Sequence, residues 1–383
     1  MYLGIDATNI HQGGGVTHLV QLLTAASPQD QGISKVIVWC SPKIASLLPT
    51  LPWLHIRSDA WMANGSLKRF LFQHLFLSIE MRRVGCKVAF YPGSTLPLIS
   101  VLPAVTISQN MLPFELDKAA LFGRCSLMYL KFCVLRMLQS ISFKRAIGII
   151  FLSQYAQDKI NRYLSISGLQ ALIPHGIEPR FIGQPRTQKP IEAYSMAEPF
   201  RFLYLSILMP YKHQIEVIRA IKDMRDSGRP IALDLIGPSW GWYGKAVQCQ
   251  IKMLDPEEAF IRYLGEIPYD DLHDAYQKSD AFIFASSCEN LPNILIEAMG
   301  SGIPVACSSK GPMPEVLGAE GFYFDPILSM SIRTTLIALL DDVAERAKFA
   351  EAAFQRTKAY SWKLCARTSF EFIRECHMIK LRH

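Results

Sequence analysis

Short apolar runs alternate with longer mixed stretches along this chain, and the pattern occurs twice. In the first half the runs are Tyr2-Leu-Gly-Ile5, Val36-Ile-Val-Trp39, Val88-Ala-Phe-Tyr91, Ala104-Val-Thr-Ile107, Ile147-Gly-Ile-Ile150 and Ala171-Leu-Ile173. Their shortness and lack of polar alternation predict strands buried on both faces. Helical stretches separate most of them, which predicts a parallel α/β sheet. A second series starts at Phe202 and predicts strands over 202–206, 232–236, 261–264, 281–285 and 305–308. Residues 183–200 are polar and irregular and hold Pro185, Pro190 and Pro199, which predicts a connection between two domains. From Ser361 to Ile379 the apolar positions Trp362, Cys365, Ala366, Phe370 and Ile373 recur at helical steps.

Two further stretches carry a pattern worth testing. Gly13, Gly14 and Gly15 stand between the first strand and a helix expected over Val16–Ala25. Such a loop either lets backbone approach a ligand or is a plain tight turn. Leu67 to Arg83 predicts one helix with Leu67, Phe70, Leu71, Leu75 and Ile79 on its packing face. Phe72 and Phe76 then lie outside that face.

The densest chemistry runs from Phe282 to Pro326. Its order is strand, polar loop, helix from Asn293 to Met299, and then a second strand after Gly302-Ile-Pro304. The first N–H groups of that helix would lie at the carboxyl edge of a parallel sheet, where helix starts bind phosphate. Glu289 precedes the helix and Glu297 is one turn inside it. An acid beside a phosphate repels it unless the acid holds hydroxyls of the same ligand. A nucleotide sugar meets that condition, with Glu297 on the ribose and Glu289 on the transferred sugar. Two solvated acids on a crossover helix would show the same spacing.

Glu289, Asn290, Leu291, Pro292, Asn293, Glu297, Ala298, Met299, Gly302, Pro304 and Glu315 together resemble the signature of the family 4 retaining glycosyltransferases, which have an E-x7-E motif. Gly265 to Tyr269 with Leu272, Tyr276, Ser279 and Asp280, the run Phe202–Ser206 leading to Lys212, and Ile173 to Ile177 are similar to other family segments. The resemblance implies the GT-B fold: two Rossmann-like parallel α/β domains facing a cleft. It places the acceptor-side domain over 1–182, the linker over 183–200 and the nucleotide-sugar domain over 201–362. A C-terminal helix over 363–383 crosses back to the first domain. It implies catalytic roles for Glu289, Lys212 and Asn110. It implies donor contacts at Gly14, Gly15, Ser206, Lys212, Gly237, Ile267, Leu291, Pro292, Asn293 and Glu297.

Two positions depart from the family pattern. Many members carry an Arg after the small residue that ends the first strand of the second domain. Here Ser206 is followed by Ile207, so that phosphate-binding cation is missing or comes from elsewhere, such as His213 or an Arg of the first domain. After Val105–Ile107 the family often has His-Asp, whereas this chain has Ser108-Gln109-Asn110, with no proton-transferring side chain.

Composition narrows the partners. The chain has 383 residues, 50% hydrophobic and 19% charged, enough for two cores. Nine scattered Cys, none in a CxxC pair, predict a reduced protein without a zinc site. No Asp-x-Asp occurs, so no metal and no other cofactor is expected. Residues 1–190 carry 19 Lys and Arg against 8 Asp and Glu, a net of +11; residues 191–383 carry 21 against 25. Nucleic acid, acidic lipid or an anionic acceptor would each explain the basic half. No nucleic-acid motif is visible, so nucleic acid is not an expected partner. Met1 to Asp6 has no basic region before an apolar run, so no signal peptide is expected, and the expected location is cytoplasmic, peripheral on the inner face of the membrane. The implied function is transfer of a sugar, mannose favoured, from a nucleotide diphosphate sugar to a glycan or lipid-linked acceptor in bacterial surface polysaccharide synthesis. A GT-B sugar-nucleotide epimerase and a non-catalytic GT-B partner subunit are the alternatives.

Overall fold

The computed structural model describes residues 1–11, 13–59, 62 and 66–382. It divides into two compact units. The first comprises Met1–Leu116, Tyr129–Gly176 and Tyr360–His383, and the second Asp117–Met128 and Ile177–Ala359. The division thus falls at Gly176 instead of residue 182. The stretch 183–200 belongs to the second unit, and so does the short segment 117–128. Of the C-terminal span, His383 lies outside the described residues.

The first unit holds seven parallel strands: β1 (Tyr2–Ala7), β2 (Lys35–Cys40), β3 (Leu54–Arg57), β4 (Cys86–Tyr91), β5 (Ala104–Ile107), β6 (Gly148–Phe151) and β7 (Leu169–Leu172). Their order is β3-β2-β1-β4-β5-β6-β7. The second holds β8 (Phe200–Leu205), β9 (Ile231–Ile236), β10 (Ile261–Tyr263), β11 (Ala281–Phe284), β12 (Val305–Ser308) and β13 (Phe322–Phe324) in the order β10-β9-β8-β11-β12-β13. Both sheets are doubly wound, and each reverses direction at one strand pair. The pattern predicts eleven of these strands and misses β3 and β13. Strand β3 is an edge strand whose last three residues face solvent, so it presents no apolar run.

The last helix, Trp362–Arg382, belongs to the first unit and packs on the helix Gly14–Thr24 and on β4 and β6. Cys365, Ala366, Phe370 and Ile373 are buried, as the spacing predicts.

The helix expected over 67–83 needs correction. It is broken into Ser66–Leu71 and Leu77–Arg83 by a π turn over Phe72–Phe76. The wide turn rotates the packing face. Leu67, Phe70, Leu71 and Phe76 are exposed, while Gln73, His74, Leu77, Ser78 and Met81 are buried. Asp6 supplies the reason. Its buried carboxylate accepts from Gln73 Nε2 at 2.8 Å, and from Thr8 N and Oγ1. A buried carboxylate demands such donors, and the turn brings Gln73 inward to meet it.

Candidate functional site

In the second unit the strand order reverses between β8 and β11, so the loops after these two strands diverge and leave a crevice at their carboxyl ends. The loop after β8 carries Ser206 to His213, and the loop after β11 carries Ala285 to Pro292. Ser206 N donates to Ile236 O at 2.8 Å and Leu208 N to Pro238 O at 3.0 Å. These bonds fix the first loop against the end of β9. Gly237 has φ of 140°, and a methyl there would lie 2.1 Å from Ser206 O. Only glycine allows the two backbones to meet so closely. Ser206 and Gly237 are thereby adjacent.

Lys212 ends the 3-10 turn Pro210–Lys212. Its carbonyl accepts from the Tyr204 hydroxyl, and its ammonium stands 5.2 Å from the ring centroids of both Tyr211 and Phe284. The same ammonium is ion-paired with Glu289 Oε1 from the loop after β11. Both side chains are largely buried, 6% and 17% exposed. The fold therefore joins the two residues expected to carry the chemistry. His213 follows with φ of 52° and its Nε2 lies 2.9 Å from Ser287 Oγ. Burial, helped by the nearby charge of Lys118, lowers its pKa to about 4. It is uncharged at neutral pH and does not replace the missing Arg.

Leu291 and Pro292 are buried and lead into the helix Asn293–Gly300. That helix buries Leu295, Ile296, Ala298 and Met299. Glu297 is buried with them, and is not a solvated acid. Its Oε1 accepts from the Tyr269 hydroxyl and its Oε2 from the Tyr276 hydroxyl, each at 3.2 Å. Burial raises its pKa to about 7, against the lowering effect of those two hydrogen bonds. Arg180 stands beside this group. It lies 4.4 Å from the Tyr269 ring centroid and is paired with Glu178 and Asp270. Arg180 and Tyr269 were not predicted as site residues, because their partners lie far away in sequence. Ile267 is half-buried in the loop after β10.

The remaining candidates lie in the first unit. Gly14 opens the helix Gly14–Thr24 and has open space where a side chain would stand. A methyl at Gly15 would lie 3.1 Å from Gln109 Oε1, so this turn and the loop after β5 are neighbours. Asn110 Oδ1 accepts from Leu112 N at 3.1 Å, a local turn bond. His18 and His175 pair through their Nδ1 atoms at 2.9 Å and pack with Trp362. They serve the interior.

Two doubly wound parallel α/β units are the architecture of the GT-B fold. Residues 188–356, a little under half of the chain, match the family described as Glycosyl transferases group 1. The chain is 27% identical over 175 residues to the O-antigen chain mannosyltransferase B of Escherichia coli, covering 46% of each chain. The match thus spans about half the length of this curated relative. Sucrose-phosphate synthase from Thermosynechococcus elongatus superposes over 99% of this chain and 100% of its own, with a TM-score of 0.78 at 16% identity. The Anabaena protein HepE in complex with UDP-glucose covers 100% of this chain and 99% of its own, with a TM-score of 0.69 at 17% identity. Those likenesses concern the fold.

Proposed function

We propose that the protein is a retaining, metal-independent glycosyltransferase that uses a nucleotide diphosphate sugar. The observation that carries this reading is the buried Lys212–Glu289 pair beside the helix start at Asn293, within the family-matched segment. The diphosphate gains a cation from Lys212 and N–H groups from the helix start. Lys212 exchanges part of its bond to Glu289 for the phosphate. Glu289 is then free to accept from hydroxyls of the transferred sugar. Glu297 takes the ribose hydroxyls, with Tyr269 yielding one carboxylate oxygen.

In the reaction the bond from the anomeric carbon to the diphosphate breaks. The acceptor hydroxyl oxygen bonds to that carbon on the same face, and its proton passes to the departing phosphate oxygen. This route uses no enzyme nucleophile. It suits a carboxylate that is engaged with the sugar hydroxyls instead of the anomeric carbon.

The mannosyltransferase relative favours mannose, with GDP-mannose ahead of a UDP-sugar, and surface polysaccharide as the product. No relative named above favours an epimerase or a non-catalytic subunit. The acceptor is lipid-linked and met at the cytoplasmic face of the membrane. Supporting this, Leu130, Val134, Met137 and Ile141 form an exposed stripe at helical steps on the helix Leu127–Arg145. That helix carries four basic residues and no acid. Among the described residues no helix is long and apolar enough to cross a membrane.

Thermal unfolding in the presence of UDP, GDP, and the glucose and mannose derivatives of each tests the reading. GDP-mannose should raise the midpoint most. No shift with any of them, and no calorimetric binding, would sink it.

A further inference from the structure

The segment Asp117–Met128 lies between elements of the first unit in sequence, yet it packs as part of the second. Phe122 is its anchor. The ring is buried, 5.1 Å edge-on from Trp240 and 6.1 Å from Tyr211. Tyr211 precedes Lys212, so the segment is seated on the same short turn that presents the catalytic cation. Lys118 stands four residues before Phe122, in the helical stretch that runs through Leu116–Ala119 and Ala120–Phe122. The segment that docks at Tyr211 therefore brings the charge of Lys118 within electrostatic reach of His213, the residue after Lys212. The electrostatic effect of Lys118 on His213 marks that approach. Its partner within ion-pair distance is the adjoining, mostly exposed Asp117 at 3.1 Å.

The other charges around His213 are Glu216, 3.8 Å from its Nδ1, and Asp325, itself held by Lys310 at 2.9 Å. His213 is neutral, and Arg180 is held by Glu178 and Asp270. Ile207 offers an apolar side chain at the position where the family resemblance leads one to expect an Arg. Its carbonyl accepts from Gln214 Nε2 at 3.0 Å.

We infer that Lys118 supplies the second cation to the diphosphate of the donor, in place of the Arg absent at position 207. This rests on the proposed donor class. The two cations then come from different segments, Lys212 from the turn after β8 and Lys118 from the strap seated on that turn.

Calorimetry with UDP, GDP, uridine and guanosine tests it on the whole protein. Lys118→Met should weaken binding of whichever diphosphate the unaltered protein takes by about tenfold to a hundredfold, the scale of a charge-assisted phosphate contact. It should leave the corresponding nucleoside unchanged, which shows that the base and ribose contacts still form. Lys118→Arg should retain most of the affinity. Ile207→Arg, added to Lys118→Met, should restore it, an effect no purely structural role would produce. Diphosphate binding within twofold of the unaltered protein in Lys118→Met overturns this inference alone. An unaltered protein that binds neither diphosphate overturns the donor reading and this inference with it.

Discussion

Lys212 and Glu289, 77 residues apart in sequence, close a single ion pair across the switch point of the second sheet. Because both are largely buried, removing either one strands the other's charge. Lys212→Ala should cut turnover by roughly 10²-fold or more, the scale of a lost transition-state stabiliser. Glu289→Ala should lower turnover as severely while leaving nucleoside diphosphate affinity within a few-fold. Equal collapse of diphosphate binding in the Glu289 variant, read by calorimetry, would show that its partner is not the sugar. The double variant should lose less stability than the two single losses combined, since the residues share one interaction.

The raised pKa of Glu297 makes stability depend on pH, and its proposed ribose contact predicts the opposite dependence for binding. Its carboxyl is raised by burial from 4.5 to about 7. Folding therefore favours the protonated form. The stability it contributes is complete below about pH 4.5 and is lost as pH rises through about 7. The full difference is about 3 kcal/mol. Glu297→Gln should flatten urea-derived stability across that window. With the proposed ribose contact, diphosphate affinity should rise with pH over the same range, because an ionised carboxylate accepts from hydroxyls better than a protonated one. In the Gln variant that rise should vanish, with about 1–3 kcal/mol lost at high pH. A rise that survives the substitution would assign the ribose to another group.

Excess chelator should leave activity within about twofold, a barrier change of about 0.4 kcal/mol. The sequence lacks an Asp-x-Asp pair, and the proposed charge stabilisation comes from lysines and a helix start. Activity that disappears and returns with magnesium or manganese would refute this.

Flotation with liposomes tests the exposed stripe. Binding should require anionic lipid and fall with salt, as charges beyond a Debye length of about 10 Å at 0.1 M are screened. Replacing Leu130, Met137 and Ile141 with Ser should reduce vesicle binding at least tenfold at an unchanged melting temperature. Equal binding to neutral and anionic vesicles would remove the basic residues from the argument.

Buried parallel strands are legible because both faces are apolar, and so β8 and β11, with the loops that follow them, could be placed from sequence. Helix starts and the two acids came with them. The environment of each acid did not. Nothing in the spacing of Glu289 and Glu297 says that one meets a lysine while the other is enclosed by Tyr269 and Tyr276. Those partners arrive through tertiary contacts between distant segments. The π turn at Phe72–Phe76 was hidden for a related reason. A helical wheel assumes one period, and the inward pull of Asp6 on Gln73 breaks it. The strap at 117–128 reads as part of the first domain because it is flanked by it. Tertiary contacts, among them the seating of Phe122 against Tyr211 and Trp240, assign it to the second unit.

The crossing of Gly176 with Trp362 bears on how the chain matures. A methyl at Gly176 would lie 2.0 Å from Trp362 N, so the first unit closes around backbone from near the far end of the sequence. On the ribosome, roughly half the polypeptide must still be made after Gly176 emerges before Trp362 appears. At about 5–20 residues per second that is a wait of about 10–40 s. Every segment of the second unit has emerged by Ala359, before that last helix. The second unit can therefore finish folding first, although the first begins at Met1. Throughout that interval the side of the first sheet that receives Cys365, Phe370 and Ile373 stays open to chaperones, and to other nascent chains.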